Sequence, residues 1–353
     1  MKNSFVFIHH SQLKIHNSKM IIQLEKDIKS TQIDTISEYL ATTGYSVSGV
    51  KTQFMDYLVL LGNVKHDIRK IGSLDGVADI HYVNDAYQLV SNMWKTAPTT
   101  IDLGDNIKIG ANDFSIMAGP CSIEGEEQTI EVADFLVANG IKIMRGGVFK
   151  PRTSPYAYRG GGIDSLKMFY KVCQERGLKI ITEVMDASQI DDMLPYTDIF
   201  QVGTRNAQNF NLLDALGKCD KAVMLKRGMS GTIEELLQAA EYVFSSGNEK
   251  IILCERGIRT FEKAYRNTLD LNAIAILKDK SHLPVIADPS HGIGIRKYVA
   301  QMALASIVAG ADGIIIETHP TPEKALSDGQ QTLNFLEMQQ LIKKAAALKA
   351  LNF

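Results

Sequence analysis

Cysteine is scarce in this chain. Four are present in 353 residues, at positions 121, 173, 219 and 254, and no two form a Cys-x-x-Cys pair. That spacing excludes a disulfide framework and fits a reducing compartment. An excess of one charge is missing too. Lys and Arg number 38 against 40 Asp and Glu, for a net charge of −2, which gives no overall field for nucleic acid or a membrane surface. No apolar run approaches the roughly 20 residues that span a bilayer, and the run at the amino terminus is too short for the core of a signal peptide. The expected protein is cytoplasmic, with neither nucleic acid nor membrane as partner.

What is present is ordinary globular material, 45% hydrophobic and 22% charged, enough for a large barrel with an appendage. Residues 1–19 carry His9, His10 and His16 and little periodicity. Residues 20–84 read as β-α-β-β-α-β, with "MIIQL", "YSVSGV", "YLVLLG" and "VADIHYV" as strands and Ile33, Ile36 and Leu40 on one helix face. This is the order of a ferredoxin-like domain. Residues 85–100 read as a linker. "IDLGDNIKIG" then reads as a hairpin. From Phe114, apolar strand-like runs alternate with helical segments eight times. An α/β fold of the (β/α)8 barrel type is expected over residues 101–353. The even count and the absence of Gly-x-Gly-x-x-Gly after the first strand weigh against an open doubly wound sheet.

The runs share one feature. Their bodies are apolar and their ends polar: Cys121, Arg145, Glu183, Gln201 with Arg205, Lys226, Glu255 with Arg256, Asp288 with His291, and Glu317 with His319. In a closed barrel these ends converge on one mouth, where active sites sit. Closure also places the last strand between the seventh and the first. Cys121, His291, Glu317 and Asp328 thereby become neighbours, and they form a plausible site for a divalent transition metal such as Mn, Fe, Co or Zn. Cys173, Cys219 and Cys254 read as small buried hydrophobes.

The stretch "MRGGVFKPRTSPYAYRGGG", residues 144–162, holds four cations, no acid and five glycines. Glycine lets backbone approach a ligand, and Arg forks match phosphate or carboxylate. Arg145, Lys150, Arg152, Arg205, Lys226 and Arg256 all fall at strand ends or in the loops after them. Glu183 and Glu255 offset only part of that charge, so a substrate with more than one phosphate, or with phosphate and carboxylate, is expected.

The motifs "AGPCSIE", "MRGGVFKPRTSPY", "TEV", "QVGTRNAQNF", "LKRGMSGTIEE", "CERGIRTFE", "IADPSHGIG" and "ETHPTPEKALSDGQQTL" occur in order from about residue 101 to the end. They resemble the type I-beta 3-deoxy-D-arabino-heptulosonate 7-phosphate (DAHP) synthases. The amino-terminal domain resembles the ferredoxin-like extension of some members. The resemblance implies condensation of phosphoenolpyruvate with erythrose 4-phosphate and water, giving DAHP and phosphate. It implies Cys121, His291, Glu317 and Asp328 as metal ligands. Arg145, Lys150, Arg205, Lys226 and Arg256 would hold phosphoenolpyruvate, with Glu183 ordering the site. Pro151, Arg152 and Thr153 of "KPRT" would take the erythrose phosphate, and Asp288 is placed among the substrate contacts. Lys150, Cys121 and His291 are read as catalytic, Lys150 as a proton donor. A homo-oligomer, tetrameric by resemblance, and an aromatic amino acid inhibitor at the amino-terminal domain are further expectations. Two alternatives stay open: a 3-deoxy-octulosonate 8-phosphate synthase-like condensation with arabinose 5-phosphate, and a Schiff-base aldolase with Lys226 as nucleophile.

Overall fold

The computed structural model describes residues 18–62, 67–111, 113–150, 156 and 158–351. They divide into two units, one running from 18 to 84 without 51–54, the other comprising 51–54 with 85–351.

The smaller unit runs β1 (Ser18–Leu24), α1 (Ser30–Thr42), β2 (Ser46–Lys51), β3 (Asp56–Gly62), α2 (Ile68–Gly72) and β4 (Val77–Tyr82). Its sheet has the order β2-β3-β1-β4, with β1 antiparallel to both β3 and β4. Alternation along β1 turns Met20, Ile22 and Leu24 to one face. There they pack with Leu58 and Leu60 of β3 and with Ile36 and Leu40 of α1. Gly44, at φ 85°, follows the end of α1, a left-handed position that glycine takes at little cost. This is the ferredoxin-like order expected from the sequence.

The larger unit opens with a hairpin, β5 (Ile101–Asp102) and β6 (Lys108–Ile109). Eight parallel strands follow, one within each of the expected runs: β7 (Ser115–Gly119), β8 (Ile143–Arg145), β9 (Lys179–Val184), β10 (Ile199–Val202), β11 (Ala222–Lys226), β12 (Ile251–Glu255), β13 (Val285–Ala287) and β14 (Gly313–Glu317). They close into a barrel because β14 pairs with β7, Glu317 opposite Gly119. The helices between and after them are α3 (Glu126–Ala138), α4 (Gly162–Gln174), α5 (Ile190–Met193), α6 (Phe210–Gly217), α7 (Ile233–Ser245), α8 (Leu271–Lys280), α9 (Pro289–Ile293), α10 (Arg296–Val308) and α11 (Phe335–Lys349). Barrel strands are covered on both faces, which is why they read as near-continuous apolar runs. Inside, Met117, Ile181, Met224, Ile252, Ile286 and Ile315 form one core with Ile101, Ile107 and Ile109 of the hairpin. Outside, Phe135 of α3 stacks on Phe335 of α11, centroids 4.0 Å apart, joining the first and last helices of the ring.

Residues 85–100 belong with the barrel unit. Glu241 accepts hydrogen bonds from the backbone N–H groups of Leu89 (3.0 Å) and Val90 (3.1 Å), and Trp94 Nε1 donates to Leu89 O at 3.0 Å. Among the described residues no helix is long and apolar enough to cross a membrane.

The candidate active site at the carboxyl end of the barrel

One difference in the fold bears directly on the site. "PVIADPSHG" reads as a single strand in the sequence, yet the strand stops at Ala287. Asp288 then caps the short helix α9, accepting the His291 N–H at 3.0 Å, with Pro289 as the first helical residue. Asp followed by Pro is a helix-start signal, and it is what turns His291 back over the barrel mouth.

The four ligand-type residues come together. Cys121 Sγ lies 3.3 Å from Asp328 Oδ2. His291 Nε2 lies 3.4 Å from Glu317 Oε1 and 4.0 Å from Asp328 Oδ2. Cys121, Glu317 and Asp328 offer ligand atoms all within 4.8 Å of one another. Donors bound at roughly 2.0–2.3 Å to one cation sit about 3–4.5 Å apart, so Cys121, Glu317 and Asp328 form a possible site for one divalent ion, with His291 beside two of them. A thiol, an imidazole and two carboxylates are a donor mix suited to a transition metal rather than Mg or Ca.

The surroundings prepare each donor. Burial, then the Glu317 carboxylate, push the Cys121 thiol up to about 11, so ligation has to displace its proton. Burial also works against ionisation of Glu317, but His291 and Arg145 outweigh it and hold the carboxyl below its ordinary value. Asp328 is lowered in the same way, by His291 and Arg266 against burial. Glu317 is held at both oxygens: Arg145 Nη1 donates to Oε1 at 3.0 Å and Gln331 Nε2 to Oε2 at 2.6 Å. Asp328 adopts φ 52°, uncommon for a residue with a side chain. Arg266 reaches it at 3.3 Å.

Beside these donors lies a cavity of about 120 Å3, lined among others by Arg145, Lys150, Glu183, Gln201, Arg205, Lys226 and Arg256. Five of the six expected cations, all but Arg152, are therefore assembled. Gly203 lies beneath Glu183; a Cβ there would run into its carboxylate. Pro151, Arg152 and Thr153 lie outside the described residues. A larger cavity of about 540 Å3 adjoins through Thr204 and Arg205, but none of the four ligand-type residues lines it.

The balance of charge differs from the sequence-based expectation. Arg145 is paired with Glu317 at 3.0 Å and Lys226 with Asp288 at 2.6 Å. Glu255 does not face the cavity. It accepts from Arg227 Nη1 at 2.9 Å, and its other oxygen accepts from the Gly257 N–H at 2.6 Å. Among the described residues Lys150, Arg205 and Arg256 make no ion pair. Arg256 is only 4% exposed, and burial pulls its pKa down. A buried guanidinium without a carboxylate calls for an anion from outside.

Asp288 stands behind the cavity. Its Oδ2 accepts from Lys226 Nζ at 2.6 Å and lies 2.8 Å from His291 Nδ1. Burial would raise its pKa, but His291 and Lys226 outweigh that and hold it well below the carboxylate range. An ionised carboxylate only accepts, so Nδ1 carries a proton toward Asp288, and Nε2 is the nitrogen turned to Glu317 and Asp328.

Sequence reasoning missed Arg227, Arg266 and Gln331. Arg227 is the neighbour of Lys226, and strand alternation sends its side chain away from the mouth. The other two lie in loops without periodicity. Cys173 and Cys254 are buried and Cys219 half-buried, and burial raises all three thiols.

Known proteins resemble this chain in sequence and fold. Residues 95–351 match the DAHP synthetase I family. The phospho-2-dehydro-3-deoxyheptonate aldolase of Thermotoga maritima is 50% identical over 279 residues, 79% of this chain and 82% of that one. The 2-dehydro-3-deoxyphosphooctonate aldolase of Syntrophotalea carbinolica is 31% identical over 273 residues, 72% of this chain and 97% of that one. The crystal structure of the Thermotoga maritima phospho-2-dehydro-3-deoxyheptonate aldolase (DAHP synthase) superposes with a TM-score of 0.75 at 43% identity, covering 95% of this chain and 98% of that one. A truncated form of the 3-deoxy-D-arabino-heptulosonate 7-phosphate synthase from that organism gives 0.71 at 47% identity, covering 75% of this chain and 97% of that one. With a barrel matched along nearly its whole length and a mouth equipped for anions, the chain belongs to the DAHP synthetase I family.

Proposed function

We propose that this protein condenses phosphoenolpyruvate with erythrose 4-phosphate and water to give DAHP and inorganic phosphate. The observation that carries the reading is the buried, carboxylate-free Arg256 opening with Lys150 and Arg205 onto a cavity beside a Cys-His-Glu-Asp donor set. Two phosphates and a carboxylate are the load such a site needs.

Cys121, His291, Glu317 and Asp328 would hold a transition metal, which when bound supplies a Lewis acid for the aldehyde oxygen. The chain's own side chains do the rest. Arg145, Arg205, Lys226 and Arg256 bind the carboxylate and phosphate of phosphoenolpyruvate and hold its C3 toward the aldehyde carbon. Arg152 and Thr153, with Pro151, would take the second phosphate, and Glu183 orders the cations around it. C3 forms the new carbon–carbon bond while water adds its oxygen at C2. The aldehyde oxygen gains a proton and the water loses one. The C2–O bond to phosphate then breaks while the C2 hydroxyl gives up the water's second proton to the departing phosphate, leaving the ketone and inorganic phosphate. Lys150 lies against Cys121, its Nζ 3.2 Å from Sγ, which supports it as the donor that would give the proton to the aldehyde oxygen.

A Schiff-base reading is weaker, because the Lys226 ammonium is held in a buried ion pair with Asp288 at 2.6 Å rather than kept as a free amine. The arabinose 5-phosphate reading finds relatives at 31% identity, against 50% for the Thermotoga enzyme.

Several finer readings accompany the main one. A thiol needed as a metal ligand suits a reducing cytoplasm. The small unit has a core of its own and contributes none of the site residues, which supports a regulatory role with an aromatic amino acid as effector. A homo-oligomer, tetrameric by family resemblance, completes the proposal.

The test is phosphoenolpyruvate consumption with erythrose 4-phosphate or arabinose 5-phosphate, each with and without a chelator. Turnover with erythrose 4-phosphate that chelation stops and Mn2+ restores is the expected result. Turnover only with arabinose 5-phosphate, or none with either sugar in the presence of Mn2+, would overturn the reading.

A further inference from the structure

Asp288 touches both halves of the site and belongs to neither. Its side chain is 2% exposed. Oδ1 accepts the backbone N–H of His291 at 3.0 Å, and Oδ2 lies 2.8 Å from His291 Nδ1 and 2.6 Å from Lys226 Nζ. One carboxylate oxygen is thus shared between the imidazole that faces Glu317 and Asp328 and the ammonium that lines the anion cavity.

We propose that Asp288 is a positioning residue that couples occupancy of the metal site to binding of the anionic substrate. The inference rests on the functional reading above. The two demands on Oδ2 oppose each other. When His291 donates electron density to a cation, its Nδ1–H becomes more acidic and draws harder on Oδ2. Lys226 is then held less tightly by Asp288 and turns more of its charge to an anion in the cavity. Conversely, an anion that takes up Lys226 leaves Oδ2 to His291 and makes the imidazole a better ligand. Each ligand therefore tightens the other, by the same factor in both directions, as linkage requires.

Other cavity cations meet the ligand-type residues directly, Arg145 at Glu317 and Lys150 at Cys121, but none of them reaches the side of His291 that Asp288 holds. Arg145 pairs with Glu317 and lines the cavity, but it does not touch His291 through a hydrogen bond. Arg256 lies near Asp288 without an ion pair. Glu317 and Asp328 also meet cavity cations, Arg145 and Arg266, but as members of the ligand-type set; Asp288 bonds to a ligand-type side chain and to a cavity cation from outside that set.

The experiment measures binding with the full-length protein and needs no turnover. Mn2+ affinity is read by the free-ion EPR signal with and without phosphoenolpyruvate, and phosphoenolpyruvate affinity by calorimetry with and without Mn2+. In the wild type each ligand should tighten the other by about 5-fold or more. Asp288→Asn should weaken Mn2+ binding by roughly 10–100-fold, as loss of such a partner does, and the mutual effect should fall to about 1. Lys226→Met keeps the Asp288–His291 half. It should bind Mn2+ tighter than the wild type, by about the 5-fold that phosphoenolpyruvate gives the wild type, lose at least about 10-fold in phosphoenolpyruvate affinity, and lose the mutual effect too. Thermal unfolding of each variant separates a local loss from a failure to fold. If Asp288→Asn does not fold, Lys226→Met alone decides, since a mutual effect surviving in it overturns the proposal. Asp288→Asn that binds both ligands and couples them like the wild type also overturns it. Wild-type protein that binds neither ligand would instead remove the functional reading beneath it.

Discussion

Lys150 reaches from the loop after β8 to the end of β7, where its Nζ meets both the carbonyl oxygen of Cys121 and, at 3.2 Å, its Sγ. The contact is possible because residue 147 is glycine. The backbone there is tied to β7 through Gly147 N–H to Cys121 O at 3.1 Å and Ile123 N–H to Gly147 O at 3.1 Å. A Cβ at Gly147 would run into Lys150 Nζ and lie 3.0 Å from Cys121 O. The far end of a lysine moves easily, so Gly147→Ala should fold and displace the ammonium. Misplacement by about 1 Å can cost about 100-fold in rate. We expect kcat to fall by about that factor with thermal stability nearly unchanged. An unaltered kcat would separate Lys150 from the proton transfer.

Cys121 would supply the soft donor of the proposed metal site. Cys121→Ala removes a buried thiol of small volume and should leave a folded protein. Loss of a ligand should weaken Mn2+ binding by more than the roughly 10–100-fold typical of a group behind the ligands, and turnover should follow the metal. Equilibrium dialysis against Mn2+ checks the first and the phosphoenolpyruvate assay the second. Retention of tight binding would move the metal elsewhere.

The two phosphates should be read by different residues. Lys226 ends β11, whereas Arg152 follows β8 in the sequence. Arg152→Ala should raise KM for erythrose 4-phosphate by about 10-fold or more, the loss of a charged hydrogen bond, and move KM for phosphoenolpyruvate less. Lys226→Ala should do the reverse. Steady-state kinetics with each substrate varied in turn decides, and equal effects of both substitutions on both substrates contradict the division.

The parts of the site visible in the sequence are those that obey a period or a topology. Apolar runs of barrel strands ending in Cys121, Arg145, Lys226 and Glu317 could be read one by one, and ring closure then made neighbours of Cys121 and Glu317, nearly 200 positions apart. Asp288 and His291 were legible as residues but not as a unit. Their meaning depends on the turn into α9, and Asp-Pro at the end of an apolar run is easily absorbed into the strand. The pairing of charges was beyond reach. Glu255 and Arg256 are adjacent in sequence, yet one bonds outward to Arg227 and the other lines the cavity. Strand alternation predicts that they part, but not which of them a second arginine waits for. Arg266 and Gln331 act from loops, where no pattern announces a partner.

Arg227 provides a stability test outside the cavity. Its guanidinium is shared between Glu255 at 2.9 Å and Asp270 at 3.0 Å, and the Glu255 side chain is fully buried. Removing one member of a buried pair leaves an uncompensated charge, at a cost of roughly 3–5 kcal/mol. Arg227→Met should therefore lower the unfolding free energy by about that amount. Combining it with Glu255→Gln should recover part of the loss, because the residual group is then neutral. Denaturant titration of the two single variants and the double provides the cycle, and simple additivity would dissociate the pair.

His282 gives the barrel unit an acid-sensitive point away from the mouth. It precedes β13, at the opposite end of the strands from the site. Nε2 lies 2.8 Å from Leu89 O and Nδ1 2.7 Å from Thr99 Oγ1. A carbonyl only accepts, so Nε2 carries the proton and Nδ1 accepts from the threonine hydroxyl. Trp94 packs edge-on at 5.7 Å between centroids. A second proton on this ring would break the Thr99 bond inside an apolar wall, and burial, followed by the charge of Lys95, lowers the pKa from 6.5 to about 3. Above pH 6.5 the imidazole is neutral in both folded and unfolded chains, and its contribution is fully present. Between pH 6.5 and about 3 only the unfolded chain takes up the proton, so stability falls as pH falls, by about 1.4 kcal/mol per pH unit well below 6.5. His282→Gln abolishes that titration. The variant should be less stable than the wild type at pH 8, having lost a fitted ring, but its stability should decline less steeply between pH 6.5 and 5. Other titrating groups act equally on both proteins and cancel in the difference. Urea unfolding at pH 8, 7, 6 and 5 measures it, and parallel curves for the two proteins would show that His282 is not the source of the acid sensitivity.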